Sequence, residues 1–141
     1  AATATQTIRF RIIGRSKLLV MGEDIRLERV LSNLIDNARS FSPENGLIDI
    51  TGQAEDENDE IVLRVIDEGP GVLPDQRDAI FSRFYSMRPD GEDFGQHSGL
   101  GLAIARNIIE GHHGQIIATD RPDGKNGACF EIRLPKADGS Q

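Results

Sequence analysis

Residues 27–43, LERVLSNLIDNARSFSP, constrain this chain most. Leu27, Val30, Leu31, Leu34, Ile35, Ala38 and Phe41 recur at spacings of three and four, which predicts one amphipathic helix with a stripe that must be buried. Asn33 and Asn37 are four apart and stack on one face at the edge of that stripe. Asparagine is a middling helix former and is seldom placed there for packing alone. Two carboxamides can offer oxygen to a hard cation and N–H to a phosphate. Two edge asparagines bonded to backbone or water would account for them equally.

The surface that covers the stripe is read from the remaining segments. Thr7–Ile13 alternates weakly, as an edge strand does, and Leu18 to Met21, a short apolar run before Gly22, reads as another strand. Asp24 is the expected N-cap of the first helix, and Ser42-Pro43 with Asn45-Gly46 ends it. Residues 47–51 and 60–66 read as paired strands. The acidic connector 54–59 between them reads as a solvated hairpin loop. Residues 74–85 fit a short helix around Ala79, Ile80, Phe81 and Phe84. Residues 86–97 are polar and aperiodic, a loop long enough to act as a lid. A second helix is expected over 99–111, burying Leu100, Ala103, Ile104 and Ile108 and stopping at Gly111 or Gly114. Strands follow at 115–119 and 128–134, around the turn-rich 121–127. The economical layering is α+β, a two-layer α/β sandwich with helices on one face of a mixed, mostly antiparallel sheet. The 141 residues fit a single domain, 1–141, with an ordered core at about 7–135.

Composition excludes some functions. A formal charge of −7 argues against non-specific binding to nucleic acid or anionic membranes. The single cysteine, Cys129, allows no internal disulfide and reads as a small buried residue. No stretch reaches the ~18 apolar residues that span a bilayer.

Three glycine-bearing stretches stand where chemistry could sit. Asp67-x-Gly69-x-Gly71 leaves a strand end, where glycines permit close backbone approach and the aspartate can accept from a planar amine; a capped turn explains it as well. Ser98-Gly99-x-Gly101 opens a helix, a natural seat for phosphate, yet it is neither a Rossmann fingerprint nor a P-loop. Asn126-Gly127-Ala128 is most simply a hairpin turn.

Order and spacing together say more. NLIDNA, DEGPGV, IFSRFY, SGLGLAIAR and NGACFEIRLP follow one another along the chain. They resemble the N, G1, F, G2 and G3 boxes of the ATP-binding catalytic domain of bacterial two-component sensor histidine kinases, in the gyrase-type ATPase superfamily. The resemblance covers about residues 7–135. It implies that the chain binds ATP and Mg2+ and donates the γ-phosphoryl group to a histidine on a separate dimerisation hairpin, absent from this chain. It implies magnesium held by Asn37, a phosphate-side catalytic role for Asn33, and adenine's exocyclic amine taken by Asp67. Gly69 and Gly71 would shape the pocket floor, and Phe81 and Phe84 would anchor the lid. Ser98, Gly99, Leu100, Gly101 and Leu102 would seat the phosphates. Further implied are a response regulator as partner, no nucleic acid, and a fragment of a longer homodimeric kinase that is monomeric in isolation. The domain would be cytoplasmic and its parent anchored in the bacterial inner membrane.

Departures from the pattern carry information. Many relatives have lysine where Ser40 stands; Arg39, Arg83 and Arg88 are the candidate replacement cations, Arg39 being assigned to catalysis. Gln96-His97 stand where further glycines often open the G2 segment, which implies a stiffer lid; His97 either touches a phosphate or faces solvent. His112 and His113 read as helix C-terminal residues favoured by the dipole. The gyrase, mismatch-repair and chaperone branches place a glutamate general base at the position of Asn33. An asparagine cannot accept a proton at neutral pH, which disfavours attack by an activated water. Transfer to an imidazole supplied by another domain fits better. The alternatives are a non-catalytic regulatory module of the same fold and an anti-sigma serine kinase.

Overall fold

A computed structural model of the chain describes residues 6–14, 18–82 and 100–137. At its centre, β2 (Leu47–Glu55) and β3 (Glu60–Ile66) form an antiparallel hairpin. β5 (Ala128–Pro135) pairs the far side of β3, and β4 (Gln115–Asp120) pairs β5, both antiparallel. β1 (Thr7–Ile13) joins β2 in parallel, giving the order β1-β2-β3-β5-β4. This is the mixed, mostly antiparallel sheet that the alternating apolar runs imply.

Two helices cover one face. α1 (Asp24–Phe41) buries Val30, Leu34 and Ala38, and α2 (Gly101–Gly111) buries Ala103, Ala105, Ile108 and Ile109. These side chains, except Ala103, share one core with Ile48, Ile50, Val65, Phe130 and Ile132 of the sheet. The stripe read from α1 thus meets the surface that it required, with Leu27 and Ile35 half-buried at its margins.

Several local expectations need correction. The first helix is capped by Glu23, not Asp24, because the Leu27 N–H bonds the Glu23 carbonyl at 3.0 Å and closes the first turn one residue earlier. Asp24 then lies in the first turn, where its carboxylate accepts from the Ile25 N–H at 2.8 Å and suits the helix dipole. The run Leu18 to Met21 makes no strand; only Val20 forms an isolated bridge, to Lys136. Within the described part of 74–85 there are two 3₁₀ turns, Pro74–Gln76 and Ala79–Phe81, not one helix. Ile80 and Phe81 are drawn into the core there, with Phe81 edge-on to Phe130 at 6.1 Å.

The end of α2 is held by a histidine in the left-handed region. His113 has φ +65°, its N–H bonds the Glu110 carbonyl at 3.0 Å, and the Gly114 N–H bonds that of Ile109 at 2.9 Å. His112 Nε2 accepts from the Glu23 N–H at 3.1 Å, which leaves Nδ1–H to donate to the Ile108 carbonyl at 2.8 Å. This residue therefore fastens the end of α2 to the start of α1, a more specific role than a dipole partner.

On the sheet face without helices, charge is paired. Arg9 and Arg11 both reach Asp49, Arg64 reaches Glu131, and Arg133 spans Glu55, Glu60 and Glu131. The acidic connector is the solvated hairpin loop expected, exposed at 56–59; Glu55 within it and Glu60 just after it share Arg133, and Asp56 meets Lys136. Cys129 is fully buried, and burial pushes its thiol up to about 12, so it is the inert small residue expected.

Candidate functional site

Asp67 follows the last residue of β3 and prolongs the β3–β5 ladder by one step. Its N–H donates to the Ala128 carbonyl at 2.9 Å, and its Oδ1 accepts the N–H groups of Ala128 and Gly69, each at 2.9 Å. Among the described residues no hydrogen bond falls on Oδ2. The residue is only 2% exposed. Burial raises its carboxyl above the usual range, against the Ala128 and Gly69 N–H groups and the Arg121 guanidinium, which pull it down.

The turn after Asp67 is pinned on both sides. The Glu68 carboxylate accepts from the Leu47 N–H at 2.7 Å, and Arg77 bridges the Val72 carbonyl and Asp120 at 3.1 and 2.6 Å. At Gly69 a side chain would meet the Phe41 carbonyl oxygen at 2.7 Å, so the turn can approach α1 only as glycine. Gly71 has φ +83° and packs against the Gly127 carbonyl. Asn126-Gly127-Ala128 is therefore more than a turn between strands: it forms a wall against Asp67 and Gly71.

One cavity gathers these pieces. Asn37, Phe41, Asp67, Pro70, Gly71, Val72, Ala128 and Phe130 line it. The asparagine singled out on α1 and the aspartate singled out after β3 thus line a shared space, a small one of about 10 Å³. Phe41 is a lining residue that sequence reasoning treated as core alone, although its position four residues after Asn37 places both on one face. Asn33, one turn before Asn37, donates from Nδ2 to the Gly101 carbonyl at 3.2 Å and so ties α1 to the first turn of α2. Leu100 caps that helix and Leu102 packs against the core. Arg39 is exposed and does not line the cavity; two residues beyond Asn37, it points toward the other side of the helix. Phe81 is buried beneath the Arg106 guanidinium, 5.6 Å from its ring centroid. Arg83, Phe84, Arg88, His97, Ser98, Gly99 and the predicted lid lie outside the described residues.

Residues 22–138 match the family described as histidine kinase-, DNA gyrase B-, and HSP90-like ATPase. The chain belongs to this family. Sensor protein ChvG of Rhizobium meliloti is 44% identical over 125 residues, which are 86% of this chain and 21% of ChvG. The chain therefore spans about a fifth of that relative's length. Among solved structures, the catalytic domain of the histidine kinase ThkA superposes with a TM-score of 0.77 at 31% identity, covering 94% of this chain and 80% of that one. ThkA is also known in complex with the response regulator TrrA, at a TM-score of 0.73 and 30% identity over 94% of this chain and 34% of that one. Full-length ShkA in complex with AMPPNP superposes with a TM-score of 0.77 at 29% identity, over 95% of this chain and 26% of that one. The likeness places this ATPase-family chain among sensor histidine kinases. It bears out the α+β fold with helices over a mixed five-stranded sheet. No helix of the described residues is long and apolar enough to cross a membrane.

Proposed function

We propose that this domain binds Mg-ATP and donates the γ-phosphoryl group to a histidine on a separate helical hairpin of a longer sensor kinase. The observation that carries the proposal is the shared cavity of Asn37 and Asp67, with Asp67 Oδ2 free of described partners. A carboxylate oxygen to which no described residue donates, on an aspartate only 2% exposed, fits an exocyclic amine, and that amine distinguishes adenine from purines that lack it. Phe41, Val72 and Phe130 would supply apolar walls for the base once this cavity, about 10 Å³ as it stands and so too small for a purine, is opened by the nucleotide. The Asn37 carboxamide oxygen is a suitable hard donor for magnesium, and Asn33 and Gly101 define the end of the site where phosphates would lie. The ion, when bound, neutralises charge on the phosphate oxygens. For the chain itself there is little covalent work: it orients the nucleotide and holds its ends apart.

Asn33 also bears on the acceptor. Its amide is engaged with Gly101 and cannot take a proton, so its position offers no base for water. An imidazole arriving from another domain needs no such base. The partners proposed are thus the parent's histidine-bearing hairpin and, downstream, a response regulator, in a homodimeric parent held at the inner membrane. The test mixes the chain with the parent's hairpin domain, ATP and magnesium. Asn37→Ala is expected to abolish magnesium-dependent phosphate transfer, with far-UV circular dichroism unchanged. Transfer at the wild-type rate would overturn the assignment.

A further inference from the structure

Arg121 lies between β4 and β5, 54 residues from Asp67 in sequence, yet its Nη1 donates to the Asp67 carbonyl oxygen at 3.0 Å. The other two nitrogens of the guanidinium are committed to one carboxylate. Nε and Nη2 reach Asp123 Oδ1 and Oδ2 at 3.0 and 2.6 Å, a bidentate fork that fixes the plane of the group. The same Asp123 Oδ1 accepts the Lys125 N–H at 3.0 Å, so the turn is wound about this ion pair. The Arg121 side chain is only 12% exposed. Immediately beyond, Gly127 passes so close to the Asp67 carbonyl that a Cβ there would collide with it and with Arg121 Cδ. Asp67 is therefore held from two directions: the ladder with Ala128 fixes its N–H and Oδ1, and Arg121 fixes its carbonyl.

We propose that Arg121, locked by Asp123, is a positioning residue that aims the Asp67 carboxylate and thereby sets the preference for adenine. The inference rests on the proposed contact between Asp67 and the adenine amine. A lysine could carry the charge but not the fork, because one ammonium cannot bind both Asp123 oxygens in plane while donating to Asp67. Without the fork the β4–β5 connection is free to draw back, and Oδ2 no longer meets the amine along its N–H direction.

The test compares dissociation constants for ATP and for purine riboside triphosphate, which lacks only the 6-amino group. The wild-type chain is expected to prefer ATP by about tenfold or more, the range for a hydrogen bond to a charged acceptor. Arg121→Met should remove most of that preference while leaving the affinity for purine riboside triphosphate within about threefold, a split that general loosening of the fold would not produce. If Arg121→Met keeps the wild-type preference, even with both affinities weakened, the positioning role is wrong. Should Arg121→Met fail to fold, Asp123→Asn, which loosens the fork without touching Asp67, decides the matter: a lowered preference supports the role and an unchanged one overturns it. A wild-type chain with no preference would instead remove the adenine contact of Asp67, and this inference with it.

Discussion

Asp67→Asn separates the fold from the proposed base contact. The side chain has two positions for oxygen, and among the described residues only Oδ1 is used, as the acceptor of two N–H groups at 2.9 Å. An asparagine must keep its oxygen there, since its NH2 would face two donors. The NH2 is then forced to the place of Oδ2, where it meets the adenine amine donor to donor. The loss comprises a hydrogen bond to a charged acceptor, about 1.5–3 kcal/mol, and the burial of facing unpaired donors. A total of about 3 kcal/mol, roughly a hundredfold in Kd, is expected. The fold should not suffer. Burial raises the Asp67 pKa, so the stability linked to its protonation is present at low pH and lost as pH rises through the raised value. At pH 7 the carboxylate is a cost that asparagine removes, and Tm should hold or rise. The same linkage predicts that ATP binding by the unaltered chain weakens as pH falls through that value. Calorimetry with AMPPNP and magnesium, beside a thermal melt, reads both. An Asp67→Asn chain that melts normally and binds AMPPNP within about threefold of wild type would refute the reasoning.

Two further outcomes are expected. Gly127 has φ +141° with its missing Cβ directed into the Asp67 carbonyl, so Gly127→Ala should cost about 2 kcal/mol or more by denaturant titration, whereas Gly111→Ala, in open space at the end of α2, should cost nothing or gain up to about 1 kcal/mol. Hydrogen bonding from Arg9, opposed by burial and joined by Arg11, holds Asp49 at about 2 against its ordinary 3.8; that stability is present above about pH 4 and lost as pH falls toward 2. Discounted for two half-exposed arginines, it amounts to about 1–2 kcal/mol, and Asp49→Asn should flatten the acid limb of a pH-stability curve by that amount.

What the sequence disclosed follows from the range of the forces involved. The α1 stripe and the alternation in β3 and β5 are local patterns, and each was legible because burial imposes one period on one element. The Asn33–Asn37 pair was legible for the same reason, being fixed by the helix that carries it. Leu18 to Met21 has the composition of a strand, but a strand exists only where an edge is available, and among the described residues its only ladder contact is Val20 with Lys136. The 3₁₀ turns at 74–81 answer to Phe130 and the core, which no window of sequence contains. The left-handed cap at His113 was missed because two glycines nearby looked better suited to it. Arg121 gave no local signal at all: its partner Asp67 is brought to it by the pairing of β3 with β5.

The two ends of the proposed site rest on supports of different stiffness. Asp67 is built onto the sheet, with its N–H, Oδ1 and carbonyl each held by a strand or by the Arg121 fork. The other end depends on the start of α2 keeping its place beside α1; the described polar link at that start is the Asn33–Gly101 hydrogen bond, since the Glu23–His112 bond ties the far end of α2. A net hydrogen bond of this kind contributes only about 1 kcal/mol, so the start of α2 can shift at little cost while Asp67 cannot. Under the proposed function, in which the domain takes up a nucleotide and presents its terminal phosphate to another domain, that division is useful: a fixed end selects the base, and a yielding end admits the acceptor. Substitutions around Asp67 should accordingly appear as changes in nucleotide affinity and selectivity. Those at Asn33 should leave affinity nearly unchanged and alter the rate of transfer to the hairpin.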